Sequence, residues 1–408
     1  MKILWLKTEL LHPVDKGGKI RSYHLLKQLK TNHEITYLTL DDGAAPGDAV
    51  ESASEYCHDL IRIPHATREK FSAGFYAELA ANMVSALPYA IRKYRSTQMT
   101  RAIEEATQKQ RFDVIICDFL APAVNLPRLL NTPVVLFQHN VEAEIWRRHQ
   151  EVQTNAIKKR YLYWQWRKMQ KFERQACRQV DRVIAVSKAD SEMIERDYGL
   201  EKVYDIATGV DVDFFKPSGA VAARPNSLVF TGSMDWLPNE DAINYFTQQI
   251  LPLIRNSVPD VSITVVGRNP SRKLQELGQR DASITITGRV DDVRPYIEGA
   301  AAYIVPLRIG GGTRLKIYEA LAMEKPTIST TVGAEGLNIN NGTEILLADT
   351  PPDFANAVVR VLREPRFAQQ LAIKGAQTVR ERYSWGEVAA EFDSICRSIN
   401  HKDSKTQE

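Results

Sequence analysis

Three consecutive glycines, Gly310, Gly311 and Gly312, stand directly before a predicted helix that opens near Thr313 and carries Arg314, Lys316 and Glu319 in its first two turns. Glycines let a backbone come close to a ligand, the first N–H groups of a helix lack intrahelical partners, and the helix dipole adds positive potential at that end. The combination suits an anion such as a phosphate. Arg314 and Lys316 face the positive end of the dipole, where a cation costs helix stability, which points to a negatively charged partner. Glu319 falls at the edge of the apolar stripe made by Leu315, Tyr318, Leu321 and Ala322, where it lines a cleft without entering the core. The plainer alternative is a connection whose glycines only make a turn.

The elements around this stretch must hold it at the end of a sheet. Ala302–Pro306 reads as a buried strand ahead of the glycines, Pro326 stops the helix, and Thr327–Thr330 reads as the next strand, followed by a second glycine loop with Gly333, Glu335 and Gly336. Two such loops at strand C-termini make the usual ligand crevice of a doubly wound α/β fold. The same logic recurs at the N-terminus, where Gly17 and Gly18 separate the strand Met1–Lys7 from a helix reaching about Lys30, with Arg21 just behind; a plain N-cap turn is the alternative. His139 ends the strand Pro133–His139 and opens the polar run HNVEAEIWRRH, again at a strand C-terminus, although a lone histidine there can equally be a satisfied core residue.

Further apolar runs at Glu34–Leu40, Asp59–Pro64, Phe112–Asp118 and Arg182–Ser187 extend a first strand–helix alternation. A second alternation starts at Ser227–Thr231 and continues through Val261–Gly267 and Ile284–Gly288. After Thr231 comes the loop Gly232–Asn239, with Asn239 expected as the N-cap of the next helix. The segment Lys70–Met99 combines Phe71, Phe75, Tyr76, Met83, Tyr89 and Tyr94 with Arg92, Lys93 and Arg95; it fits either a basic aromatic helix for an anionic lipid interface or a solvated helix with a few core aromatics. In the long helix Asn155–Val180, Tyr161, Trp164, Met169 and Phe172 read as packing residues.

A chain of 408 residues exceeds what one core usually fills, so two domains of roughly 200 residues are expected. Charged content of 25% and hydrophobic content of 44% are ordinary for a globular protein, and a net charge of +3 gives no case for nucleic acid. Cys57, Cys117, Cys177 and Cys396 are scattered without a CxxC pair, so neither zinc nor a disulfide framework is indicated, and a reducing cytoplasm fits. No run of about 18 apolar residues predicts a membrane span, and the apolar N-terminus is broken by Lys7 and Glu9 before signal-peptide length.

The stretch GTRLKIYEALAMEKPTIST, Gly312 to Thr330, is similar to the signature helix of the retaining glycosyltransferases of family 4, and the similarity runs over nearly all of the chain. That family has the GT-B fold, in which two Rossmann-like α/β domains, doubly wound around parallel sheets, face each other across a cleft. The resemblance implies an acceptor-side domain over residues 1–212, a linker over 213–226, a donor domain over 227–384 and a terminal helix, 385–400, that returns to the first domain, with 401–408 as a frayed tail. It implies transfer of a sugar from a nucleotide diphosphate sugar, UDP- or GDP-linked, to a glycan or lipid-linked acceptor hydroxyl with retention. No cofactor and no metal are implied, and the setting is cytoplasmic, at the inner face of the membrane, with peripheral membrane contact and a role in polysaccharide assembly.

By the same resemblance, His139 reaches the donor sugar near its reacting carbon, and Gly17, Gly18 and Arg21 lie against the donor phosphates or the acceptor. The Gly232 loop, Gly288, Arg289 and Val290 belong to the nucleotide site, the last three holding the base through backbone groups. Glu319 takes the ribose, while backbone N–H groups of Gly310, Gly311, Gly312 and Thr313, with the Glu335 loop, hold the donor. Two departures stand out. Gly311 occupies the place of the family's first glutamate, and GSMDWLPNED lacks the arginine and lysine that many members place after the first strand of the second domain. Arg314 and Lys316 are expected to replace that pair. A non-catalytic sugar-nucleotide-binding protein and a nucleotide-sugar epimerase of the same fold are the alternatives.

Overall fold

The structure, a computed structural model, describes residues 1–69, 71–309 and 315–400. The candidates Gly310, Gly311, Gly312, Thr313 and Arg314, and the tail 401–408, lie outside the described residues. The chain divides into two compact units, Met1–Ala207 with Val388–Glu408, and Thr208–Glu387.

Seven strands build the sheet of the first unit: β1 (Lys2–Lys7), β2 (Glu34–Asp41), β3 (Asp59–Pro64), β4 (Val114–Asp118), β5 (Val134–Phe137), β6 (Arg182–Ala185) and β7 (Tyr204–Asp205), in the order β3-β2-β1-β4-β5-β6-β7. The second unit holds six: β8 (Ser227–Thr231), β9 (Ser262–Val266), β10 (Ile284–Ile286), β11 (Ala302–Val305), β12 (Thr327–Ser329) and β13 (Leu346–Leu347), in the order β10-β9-β8-β11-β12-β13. Among the described residues the ladders joining these strands are parallel, for instance Trp5 opposite Tyr37 and Ile116, and Tyr303 opposite Thr327 and Val229. Strands covered on both faces need apolar side chains throughout, which is why Ile3–Leu6 and Val114–Cys117 are buried without alternation. In both sheets the order reverses beside the first strand, between β1 and β4 and between β8 and β11. Ligands of open α/β sheets bind at such switch points, beyond the strand C-termini.

Helices pack on both sheets through apolar faces. Met99 and Ile103 of the helix Thr97–Lys109 join Leu4, Leu6, Leu38 and Leu40 in one core cluster, and Phe354 and Val358 of the helix Pro351–Arg363 join Phe230, Ile263 and Ile304 in another. The stretch expected as a linker is held to the second unit, where Glu298 accepts from Ser218 Oγ and the Gly219 N–H, both at 2.6 Å.

Local expectations change in three places. The described part of the segment that starts at Lys70, residues 71–99, is not one helix: it breaks into Ala73–Asn82 and Tyr89–Arg92 before the helix at Thr97, because Pro88 precedes the second piece and disfavours helix at the residue ahead of it. Trp164 is exposed (47%), and the buried side chain in that turn is Gln165, which accepts from the Tyr89 N–H and donates to Asn82. Asn239 is no N-cap; the helix Leu237–Tyr245 starts after Trp236, and Asn239 lies in its first turn.

Candidate functional site

At the switch point of the first sheet β1 ends in a lysine and β4 in an aspartate, and both are buried (2% and 0% exposed). Asp118 Oδ2 accepts from Lys7 Nζ (2.7 Å), Trp5 Nε1 (2.9 Å) and Ser22 Oγ (2.6 Å), and Ser22 itself accepts from Lys7 Nζ (2.5 Å). His139, two residues beyond β5, brings Nε2 to 2.8 Å from Asp118 Oδ1, while Arg21 Nη1 lies 3.2 Å from its Nδ1. A guanidinium only donates, so Nδ1 is the acceptor and the ring proton sits on Nε2, facing Asp118. Burial would raise the Asp118 carboxyl, but Lys7 and then His139 pull it below the usual carboxylate range. Burial also drives the His139 imidazole down to about 3, against the pull of Asp118, so the ring is neutral.

Phe119 closes the cluster. It stacks on His139 at 3.8 Å, carries Lys7 Nζ 4.4 Å above its ring, and adopts φ 74, a left-handed conformation that is rare for an aromatic residue. A Cβ at Gly18 would lie 2.5 Å from Phe119 Cζ, so glycine there allows the helix Gly17–Leu29 to start directly over the ring. Gly17 opens that helix with open space around its Cα. Lys7, Asp118, Phe119 and Ser22 are not among the sequence candidates; the available signal is a charged residue closing each of two apolar runs, Lys7 after ILWL and Asp118 after VIIC.

One consequence is a pH-dependent stability. His139 holds its proton less tightly in the fold than in the unfolded chain, so this histidine costs nothing above about pH 6.5 and removes stability as pH falls from there toward 3. Asp118, held below its ordinary range, adds a further loss at lower pH. His139→Gln is expected to flatten the fall in urea-unfolding free energy between about pH 6.5 and 4.5; an unchanged slope contradicts the buried neutral imidazole.

In the second unit the corresponding loops meet around Lys316. Its Nζ donates to Asn239 Oδ1 (3.0 Å) and lies 4.3 Å above the Phe230 ring, and Asn239 Nδ2 donates to the Ser233 carbonyl (2.8 Å). A Cβ at Gly232 would be 2.7 Å from both Lys316 Nζ and Asn239 Nδ2, so a side chain there would displace the lysine from its place at the end of β8, and glycine leaves it room. A Cβ at Gly267 would fall 1.8 Å from the Gly232 carbonyl oxygen, and the Gly267 N–H donates to the Gly288 carbonyl (3.2 Å), which seats the loops after β8, β9 and β10 against one another. Gly288 has φ +73 and is followed by exposed Arg289 and half-buried Val290.

Glu319 follows Lys316 by one turn on the helix Leu315–Ala322 and is half-buried; burial pushes its carboxyl up to about 7 against the pull of Lys316. After β12, the Gly333 N–H donates to Thr330 Oγ1 (2.8 Å), and Glu335 is exposed in the turn that ends at Gly336 (φ +79). The structure thus brings Gly232, Lys316 and the Gly288 loop to the strand C-terminal end of the second sheet, and Gly18, Arg21 and His139 together in the first unit. Among the described residues no group of three or more His, Cys, Asp or Glu side chains could hold a metal ion, and no helix is long and apolar enough to cross a membrane.

Comparison with known proteins gives a consistent likeness. Residues 16–214 match the family model described as Glycosyltransferase Family 4, and residues 225–364 match Glycosyl transferases group 1. An uncharacterized 44.6 kDa protein in the cps region of Klebsiella pneumoniae is 19% identical over 97% of this chain and 98% of its own length. Sucrose-phosphate synthase from Thermosynechococcus elongatus superposes with a TM-score of 0.69 at 16% identity, covering 98% of this chain and 100% of that structure. HepE from Anabaena in complex with UDP superposes at 0.66 and 13% identity with the same coverage, 98% and 100%.

Proposed function

We propose that this chain, which belongs to glycosyltransferase family 4 and has the GT-B fold, moves a sugar from a nucleotide diphosphate sugar to a hydroxyl of a glycan or lipid-linked acceptor, with retention at the anomeric carbon. The observation that supports this best is Lys316, whose ammonium group is threaded between Asn239 and Gly232 at the switch point of the second sheet. The loop after β8 has no cation of its own between Gly232 and Asp241, and Lys316 brings one to it from the helix beyond β11. A UDP- or GDP-sugar is the proposed donor; HepE of Anabaena has been solved with UDP-glucose as well as with UDP.

In the proposed reaction the bond between the anomeric carbon and the phosphate oxygen breaks, its electron pair stays on the diphosphate, and the acceptor oxygen attacks from the same face. The acceptor proton passes to a phosphate oxygen. Lys316 together with Arg314 stabilises the charge that grows on the diphosphate, in a setting where fixed donors act without reorganisation. Glu319 accepts from a ribose hydroxyl, the backbone around Gly288, Arg289 and Val290 holds the base, and the Glu335 loop contributes N–H groups to the donor. In the first unit His139 Nδ1, an acceptor in its present tautomer, is the atom to which a sugar hydroxyl would donate in place of Arg21. Exposed Phe71 (77%), Tyr76 (56%) and Val84 (94%), with the exposed cations Arg68 and Arg92 nearby in sequence, support this stretch as the face for a lipid-linked acceptor or an anionic membrane surface.

The test is turnover of UDP- and GDP-sugars labelled with ¹³C at the anomeric carbon, followed by NMR with glycan and lipid-linked acceptors. An α-configured donor giving an α-configured product supports the proposal; an inverted product contradicts retention, and nucleotide binding with no turnover favours a non-catalytic binder.

A further inference from the structure

We propose that Glu173 is the positioning residue that holds His139 in place, by capping the helix that follows the histidine and gripping the residue that precedes it. Glu173 lies in the middle of the helix Ala156–Gln179 and is fully buried (0% exposed). Four donors converge on its carboxylate, two on each oxygen. Oε1 accepts from Gln138 Nε2 (2.9 Å) and the Glu142 N–H (2.8 Å); Oε2 accepts from the Ala143 N–H (2.9 Å) and Tyr198 Oη (2.7 Å). No cation pairs with this carboxylate among the described residues.

The local sequence explains the need. The helix Glu142–Val152 begins after Val141, which offers no side-chain cap, so its first N–H groups would be left buried without acceptors. Glu173 supplies the missing cap from a different helix. Because Gln138 joins the same carboxylate, both flanks of His139 are tied to one group, while the Gln138 N–H donates to the Ile184 carbonyl (2.8 Å) and Asp118, Arg21 and Phe119 fix the ring itself. A carboxylate accepting several charge-assisted hydrogen bonds is a stronger and more directional anchor than a neutral cap. Burial pushes the Glu173 carboxyl up to about 7, against the pull of Tyr198 and the two backbone N–H groups, so the position is occupied at a cost that a plain packing residue would avoid.

For the reaction, this inference rests on the substrate contact proposed for His139; the placement itself does not. The experiment uses the full chain and Glu173→Gln, whose amide turns an N–H₂ toward donors that need an acceptor. Amide hydrogen exchange in the peptide spanning residues 138–143 should accelerate by about tenfold or more, the ¹³C-labelled His139 imidazole resonance should shift, and kcat should fall with little change in the donor KM. Wild-type exchange and an unmoved His139 resonance would overturn the proposal, as would loss of protection spread evenly over the N-terminal unit, which marks a merely structural group. Local acceleration and a shifted resonance with kcat unchanged would uphold the positioning and sink the substrate role of His139 instead. Should Glu173→Gln fail to fold, Gln138→Ala removes only the link beside His139 and leaves the helix cap; it is expected to give the same shift at smaller amplitude, and no shift overturns the proposal.

Discussion

Asp118→Ala is expected to cost about 3–5 kcal/mol of stability in the N-terminal unit. The aspartate is the common acceptor for Lys7, Trp5 and Ser22 and the partner of His139, and removing it leaves the Lys7 ammonium buried (2% exposed) beside the Ser22 hydroxyl and the Phe119 ring, with its hydrogen-bonded carboxylate gone. An uncompensated buried charge is among the few single changes large enough to unfold a domain. Burial already holds the Lys7 ammonium below its ordinary range despite Asp118, so without the carboxylate lysine would be driven to give up its proton. Urea unfolding followed by tryptophan fluorescence measures the loss. The double variant Lys7→Met with Asp118→Asn should recover part of it, because the cost lies in the unpaired charge. A stability within about 1 kcal/mol of wild type for Asp118→Ala would contradict the buried hub.

The second large effect is catalytic. Lys316→Ala should lower kcat by about 10²- to 10³-fold, since the ammonium group is assigned to charge that develops only as the diphosphate departs. Lys316→Arg should not restore it. The Nζ sits where a single Cβ added at Gly232 would come within 2.7 Å, and a planar guanidinium is too broad for that gap between Gly232 and Asn239. Steady-state rates with a turned-over donor decide the matter, and a Lys316→Arg enzyme with near wild-type kcat would show that charge alone, without this placement, suffices.

Much of the fold was legible because parallel strands buried on both faces announce themselves as short apolar runs. Ser227–Thr231, buried throughout, is a strand to the residue; Asp59–Pro64, at the exposed edge of its sheet, also matches to the residue, and the other long runs differ only at their ends. The two-residue strands β7 and β13 have no pattern to detect, and their place depends on pairing with the strand before each, at Ile184 and Ile328. Asn239 misled for a related reason. Its residue type favours an N-cap, but tertiary contacts to Lys316 and Ser233 moved it into the helix.

The site divided along the same line. Glycines and charges that directly follow an apolar strand run were visible one loop at a time: Gly232 after Ser227–Thr231, Gly288 after its strand, and Lys316 and Glu319 on the helix after Ala302–Pro306. Asp118 was not, because its partners Lys7, Trp5, Ser22 and His139 come from three separate segments and only the sheet brings them together. Glu173 was invisible for the same reason: in sequence it is one acidic residue in a basic helix, and its meaning lies in Gln138, Glu142, Ala143 and Tyr198.

A nucleotide titration reaches the donor site without knowledge of the acceptor. Calorimetry of the wild type and Lys316→Ala against UDP, GDP, TDP, ADP and CMP should show one diphosphate binding the wild type with a Kd in the range of roughly 1 μM to 1 mM, and binding at least about tenfold weaker to the variant. No heat with any of them at millimolar concentration, or equal affinity for wild type and variant, would contradict a nucleotide diphosphate site built around Lys316.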